Sequence, residues 1–144
     1  MSNYQTMLLA IDLSEEADQI ASKAQSLANS NQAELHIAHI IEPLSFAYGG
    51  DIPMDFSSIQ DEIQKQAETQ LAELSEKYDI APERQHITLG RPENEIHNLA
   101  KQFDVDLILV GSHGRHGLAL LLGSTANAVI HGATCDVLAV RINS

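Results

Sequence analysis

Five short apolar runs, separated by longer amphipathic segments, restrict what this chain can fold into more than any other feature of its sequence. Met7–Ile11, Leu35–Ile41, His86–Leu89, Asp106–Val110 and Asp136–Ile142 have the length and apolar character of strands. The first ends at Asp12, and Ser14 then stands where it caps a helix whose first turn carries Glu15 and Glu16 and which extends to about Asn29. The second closes at Pro43. Residues 44 to 56, with Gly49-Gly50 and Pro53, have turn chemistry without periodicity and are expected to form a long surface loop. From Ser57 to Tyr78, Ile59, Ile63, Ala67, Leu71 and Leu74 recur at helical spacing with charges between them, which predicts the longest helix of the chain. Gly90-Arg91-Pro92 turns into another helix, with Pro92 in a first turn that tolerates it and Ile96, Leu99, Ala100 and Phe103 facing the core. A last helix ends near His131.

Strands alternating with helices imply right-handed crossovers and a mainly parallel sheet covered on both faces. The expected architecture is therefore a single doubly wound α/β domain. With 144 residues, 44% of them hydrophobic, one domain over residues 1–144 has a core large enough to fold alone. In the common strand order 3-2-1-4-5, the order reverses between the first and fourth strands, and ligands settle in the crevice at their carboxyl ends. Asp12 and Gly111 close those two strands.

The fourth strand runs directly into Gly111-Ser112-His113-Gly114-Arg115-His116-Gly117, then Leu118 to Leu122, then Gly123-Ser124-Thr125. Of the eight glycines in the chain, four lie in this segment. A glycine-rich junction between a strand and a helix is a candidate phosphate cradle, because backbone N–H groups converge without side chains in the way and the helix start offers unpaired donors. Arg115 is the sole Lys or Arg between Lys101 and Arg141, so backbone donors would carry most of the anion binding. The segment is not a P-loop: no Gly-Lys-Ser/Thr ending is present, and efficient γ-phosphoryl transfer lacks a usual contributor.

A formal net charge of −12 opposes general attraction to nucleic acid or to an anionic membrane face. No apolar run approaches the length needed to insert in a bilayer, and no secretory pattern opens the chain. The single cysteine, Cys135, cannot form an internal disulfide and is read as a small, largely buried residue. A cytoplasmic protein is expected. The final strand, Asp136–Ile142, would leave an apolar edge that tends to pair or be covered.

From Leu8-Leu9-Ala10-Ile11-Asp12-Leu13-Ser14 through Leu35-His36-Ile37-Ala38-His39-Ile40 to Val110-Gly111-Ser112-His113-Gly114 and Val137-Leu138-Ala139-Val140, the chain resembles the universal stress protein family over nearly its whole length. The resemblance implies a Rossmann-like fold of the adenine nucleotide alpha hydrolase type. Nucleotide-binding members share Gly, two residues, Gly, nine residues, Gly and then Ser or Thr. Gly111, Gly114, Gly123 and Ser124 match, with eight residues rather than nine between Gly114 and Gly123. By resemblance, Ala10 and Ile40 would border an adenine, and Asp12 would hold the ribose or a Mg2+ ion arriving with the phosphates. Gly111, Gly114, Gly123, Ser124 and Thr125 would hold the phosphates, with His113 packed beside them, and Val110 and Arg115 complete the implied nucleotide-binding set. The ligand implied is ATP or AMP. The resemblance also implies a homodimer formed by antiparallel pairing of strand 136–142 with its copy.

Other chemistries fit less well. His36 and His39 are three apart on a strand and point to opposite faces, so they cannot share a metal directly. His113 and His116 lie on one loop, but no Cys or Glu accompanies them at zinc spacing. Ser112-His113 lacks a third group for a hydrolase triad. A receiver domain needs clustered acids after the first strand and a phosphoacceptor after the third, whereas Asp12 is followed by Leu13 and the third strand ends Thr88-Leu89-Gly90. Two readings stand, a nucleotide-binding sensor or regulator and a dimeric interaction module with no nucleotide. A slow ATP hydrolase ranks below both, for want of a general base or catalytic lysine.

Overall fold

The computed structural model describes residues 4–13, 17–42, 56–113 and 124–142. Five strands, β1 (Thr6–Ile11), β2 (Glu34–Ile41), β3 (Gln85–Leu89), β4 (Leu107–His113) and β5 (Asp136–Ile142), form one sheet in the order β3-β2-β1-β4-β5. All four strand pairings are parallel. The expected doubly wound α/β domain with order 3-2-1-4-5 is thus what the chain forms. The α-helices among the described residues are α1 (Ala17–Asn31), α2 (Phe56–Lys77), α3 (Pro92–Gln102) and α4 (Ser124–Gly132). Among the described residues, no helix is long and apolar enough to cross a membrane. The expected cap at Ser14 and nearly all of the loop over 44–56 lie outside the described residues.

Alternation along the strands divides the core into two layers. Met7, Leu9, Ile11, Leu35, Ile37, Leu107 and Leu109 pack with Ile20, Ala21, Ala24 and Ala28 of α1 and Leu71 of α2. The opposite faces of the same strands, Leu8, Ala10, Ala38, Ile108 and Val110, pack with Ile96, Leu99 and Ala100 of α3 and Val129 of α4. Tyr78, just past α2, donates its hydroxyl to Asp18 Oδ1 of α1 at 2.7 Å, and Gln25 Nε2 returns a hydrogen bond to the Tyr78 carbonyl at 2.7 Å.

The amino end of the sheet is stitched by one carboxylate. Asp106 Oδ2 accepts from the Gln5 N–H at 2.9 Å, and its Oδ1 accepts from the Thr6 N–H at 3.1 Å. The Asp106 N–H donates back to the Thr6 carbonyl at 2.9 Å. At the other end, Gly90 takes φ +152° in the turn to α3, where a Cβ would meet Glu95 Cγ at 2.8 Å. Pro92 opens α3 as its sequence position predicts.

Two elements differ from expectation. Ile59 is 47% exposed rather than core-facing. At 22 residues, α2 is roughly 33 Å long, whereas the five residues of β3 cover about 17 Å, so the first turns of the helix outrun the sheet beneath it. β4 also does not close at Gly111: Gly111, Ser112 and His113 continue it opposite Val140, Arg141 and Ile142 of β5.

Candidate functional site

Sequence reasoning placed a crevice at the carboxyl ends of β1 and β4, which is where the ladder between these strands stops. β1 and β4 pair from Met7↔Leu107 to Ala10↔Val110 and no further. β4 nevertheless goes on for three more residues along β5. The two central strands therefore part immediately after Ala10 and Val110, and β4 carries Gly111 into the gap while remaining anchored on its outer side. Backbone beyond Val110 that faces the gap has no β1 ladder to satisfy it, and such groups need other partners.

Side-chain alternation brings the expected apolar residues to one face. Ala10 and Val110 are buried in the layer beneath α3 and α4, and Ile40 is half-buried against the same layer. Asp12 follows β1 at the mouth and is exposed. The next residue, Leu13, has φ 56°, a left-handed conformation uncommon for a bulky residue. Gln32, Asp79 and Asp104 share that conformation, but each follows a helix, where it is an ordinary closing geometry. Leu13 instead follows a strand at a crevice, and strained backbone clusters at functional sites.

Histidine positions are structural on β2. His39 Nδ1–H donates to the Ile11 carbonyl at 2.8 Å, tying β2 to the last residue of β1. His36 lies on the opposite face, as expected, and is engaged with His86 of β3. Among the described residues, no group of three or more His, Cys, Asp or Glu side chains is placed to hold a metal ion. A Mg2+ ion that keeps several waters and takes phosphate oxygens needs only one or two protein carboxylates, and Asp12 at the mouth fits that demand.

For the glycine-rich wall, the structure places Gly111 and His113 in β4, and Ser124 and Thr125 in the first turn of α4. Gly114, Arg115, His116 and Gly123 lie outside the described residues. An α-helix with its first turn at Ser124 has backbone N–H groups there without intrahelical partners, the kind of donor the sequence reading called for.

One neighbouring residue escaped the sequence reading. Thr88 pairs with Ile40 in the parallel register, so it extends the same face outward to β3. Its Oγ1 is buried without a hydrogen-bond partner among the described residues. The available signal was the alternation His86, Thr88 within β3, two polar residues on what should be a covered face.

Comparison with known proteins adds to this geometry. The family model described as the universal stress protein family matches residues 3–141. Universal stress protein A homolog 1 of Coxiella burnetii is 42% identical over 139 residues, covering 96% of each chain. Among solved structures, universal stress protein UspA from Lactobacillus plantarum superposes with a TM-score of 0.77 at 22% identity, covering 98% of this chain and 100% of that one. A universal stress protein crystallised in complex with cAMP superposes with a TM-score of 0.69 at 23% identity, covering 97% of this chain and 98% of that one. Both structural likenesses bear on the fold.

Proposed function

Because the chain belongs to the universal stress protein family, and because its sheet opens at the switch point, we propose that it binds an adenine nucleotide, ATP or AMP, between β1 and β4 and acts as a sensor or regulator. The observation that carries this reading is the parting of β4 from β1 after Ala10↔Val110, with Gly111 entering the gap and α4 starting at Ser124. The strained Leu13 beside Asp12 and the fold neighbour crystallised with cAMP, itself an adenine nucleotide, support it.

In this reading, Ala10, Ile40 and Val110 take the apolar faces of the base, and Asp12 takes the ribose hydroxyls or a Mg2+ ion held with the phosphates. Backbone N–H groups from Gly111, Gly114 and Gly123 to Thr125 take the phosphates, with His113 and Arg115 beside them. A backbone cradle suits a chain of net charge −12, whose overall field repels anions. Calorimetric titration of nucleotide-free protein with ATP and AMP, with and without magnesium, tests this directly. Saturable heat is expected for at least one nucleotide. Gly114→Val, which places a branched side chain in the cradle, should weaken binding by at least about 100-fold, roughly 2.7 kcal/mol, while leaving the circular dichroism spectrum unchanged. No heat from the parent protein would leave the dimeric interaction module as the better reading.

Thr88 enters the same reading as a polar group at the edge of the base site. Thr88→Val keeps the shape and removes the hydroxyl. The expected result is a loss of about 3- to 10-fold in nucleotide affinity, with a melting temperature equal to or above the parent's, since an unpaired buried hydroxyl is costly. A lowered melting temperature with unchanged affinity would assign that hydroxyl a structural partner instead. The edge strand β5, whose Val137 to Val140 are half-buried, is the proposed seam of a homodimer. Light scattering at twice the chain mass is expected, and a charge at Val140 should return the monomer.

A further inference from the structure

We propose that His36 and His86, roofed by Phe103, form an acid-sensitive latch that holds the edge strand β3 and the end of α3 against β2. His36 Nδ1 and His86 Nε2 are 3.0 Å apart, and the ring planes lie within 10° of each other. The second nitrogen of His36, Nε2, is 3.1 Å from Glu34 Oε1. A carboxylate only accepts, so His36 carries its hydrogen on Nε2, and its Nδ1 must accept from the Nε2–H of His86. The chain of hydrogen bonds thus runs from His86 to His36 to Glu34. Phe103, the residue that ends α3, stands over both imidazoles with ring centroids 4.7 and 4.8 Å away. His36 is 3% exposed.

This arrangement accepts one proton and rejects a second. With one added, the facing nitrogens still share a hydrogen bond, and the Glu34 carboxylate and the Phe103 ring face both favour a single cation. With two, both facing nitrogens bear hydrogens, the bond has no acceptor, and two cations meet in a buried site. The remaining surroundings do not relieve this. Leu8 of β1 lies beside His36 in the sheet and is apolar, and Arg84, ahead of β3, adds a further positive charge that disfavours protonation of His36. Burial is the main reason that both imidazoles are held below the ordinary histidine range, with Arg84 acting further on His36 and His36 acting on His86. Metal bridging is not the role of the pair: Glu34 is committed to the far nitrogen of His36, and no third ligand accompanies it among the described residues.

The sign follows from these directions. A histidine depressed in the folded state binds its proton less readily than in the unfolded chain. Its stabilising contribution is complete above the unfolded value, near 6.5, and is lost as pH falls through the folded value. What opens first is the edge strand, which has a partner on one side only. Thr88 lies two residues beyond His86 on the same face, so opening would also disturb the base site; that corollary rests on the nucleotide reading, whereas the latch itself does not.

The test uses the full chain without nucleotide, following amide exchange and histidine imidazole NMR signals from pH 8 to pH 4.5. The two imidazoles should titrate as a coupled pair, in steps separated by more than about one pH unit. Protection of the β3 amides should fall at least about tenfold relative to β1 between pH 7 and pH 5. His86→Gln keeps a donor toward His36 Nδ1 but removes one titrating ring, and should hold β3 protection within about twofold over that range. Two independent titrations at the ordinary histidine value, or β1 and β3 losing protection together, would overturn the proposal. The parent titration alone decides the matter if the variant does not fold.

Discussion

Leu9→Ala is expected to lower the free energy of unfolding by about 3–5 kcal/mol, measured by urea denaturation, and to reduce the melting temperature by roughly 10 °C. Leu9 is fully buried at the centre of β1, paired with Ile37 on one side and Leu109 on the other. It belongs to the layer that includes Ile20, Ala21 and Ala24 of α1 and Leu71 of α2. Because α1 meets the sheet largely through alanines, it already lies close, and few flexible side chains are at hand to collapse into the space a leucine leaves. The upper half of the usual range for such a truncation therefore applies. That loss is a large part of the 5–15 kcal/mol typical of a domain. Ile59→Ala, at an exposed site on α2, is the matched control and should change stability by no more than about 0.5 kcal/mol. A loss below about 1 kcal/mol at Leu9 would contradict the packing of α1 on β1.

Asp106→Ala should cost about 1.5–3 kcal/mol in the same measurement, although its side chain is only partly buried. Its two oxygens accept from two consecutive backbone N–H groups, those of Gln5 and Thr6, and the substitution removes both acceptors at once. Asp106→Asn keeps one acceptor oxygen and should fall between parent and alanine variant. Since this carboxylate sits at the amino end of the sheet, opposite the crevice, nucleotide titration of either variant should give the parental affinity. A stability loss that also weakened nucleotide binding would place the ligand elsewhere than at the carboxyl ends of the strands.

Architecture was legible because it depends on local patterns. The apolar runs gave the strands, and the helical spacing of Ile96, Leu99 and Ala100 gave a core face that the structure keeps. Ala10, Ile40 and Val110 entered the site only through the family resemblance, and it is the structure that puts all three in one layer of the core. Features set by register were not legible. His36 and His86 are far apart in sequence and meet only because Ala38 pairs with His86 in the parallel ladder. The continuation of β4 beyond Gly111 is likewise imposed by β5, whose residues Val140 to Ile142 give the glycine-rich strand end something to pair with. Ile59 was misjudged because helical spacing describes which face of a helix is apolar, not how far the sheet extends beneath it.

The central position of β1 also has a kinetic consequence. Its partner β4 lies far along the chain: Thr6 and Asp106, which bond each other at the start of that seam, are 100 residues apart in sequence. At a synthesis rate of about 5–20 residues per second, β1 waits roughly 5–20 s on the ribosome for its second neighbour. During that interval β1, α1 and β2 can assemble as a local unit, but one side of β1 stays open along Met7 to Ala10, a run of fully apolar residues. Pairing between such distant segments slows folding, and an apolar strand side left open invites capture by another nascent chain. The strand that lies deepest in the finished protein is therefore the one most exposed to misassembly while the protein is being made.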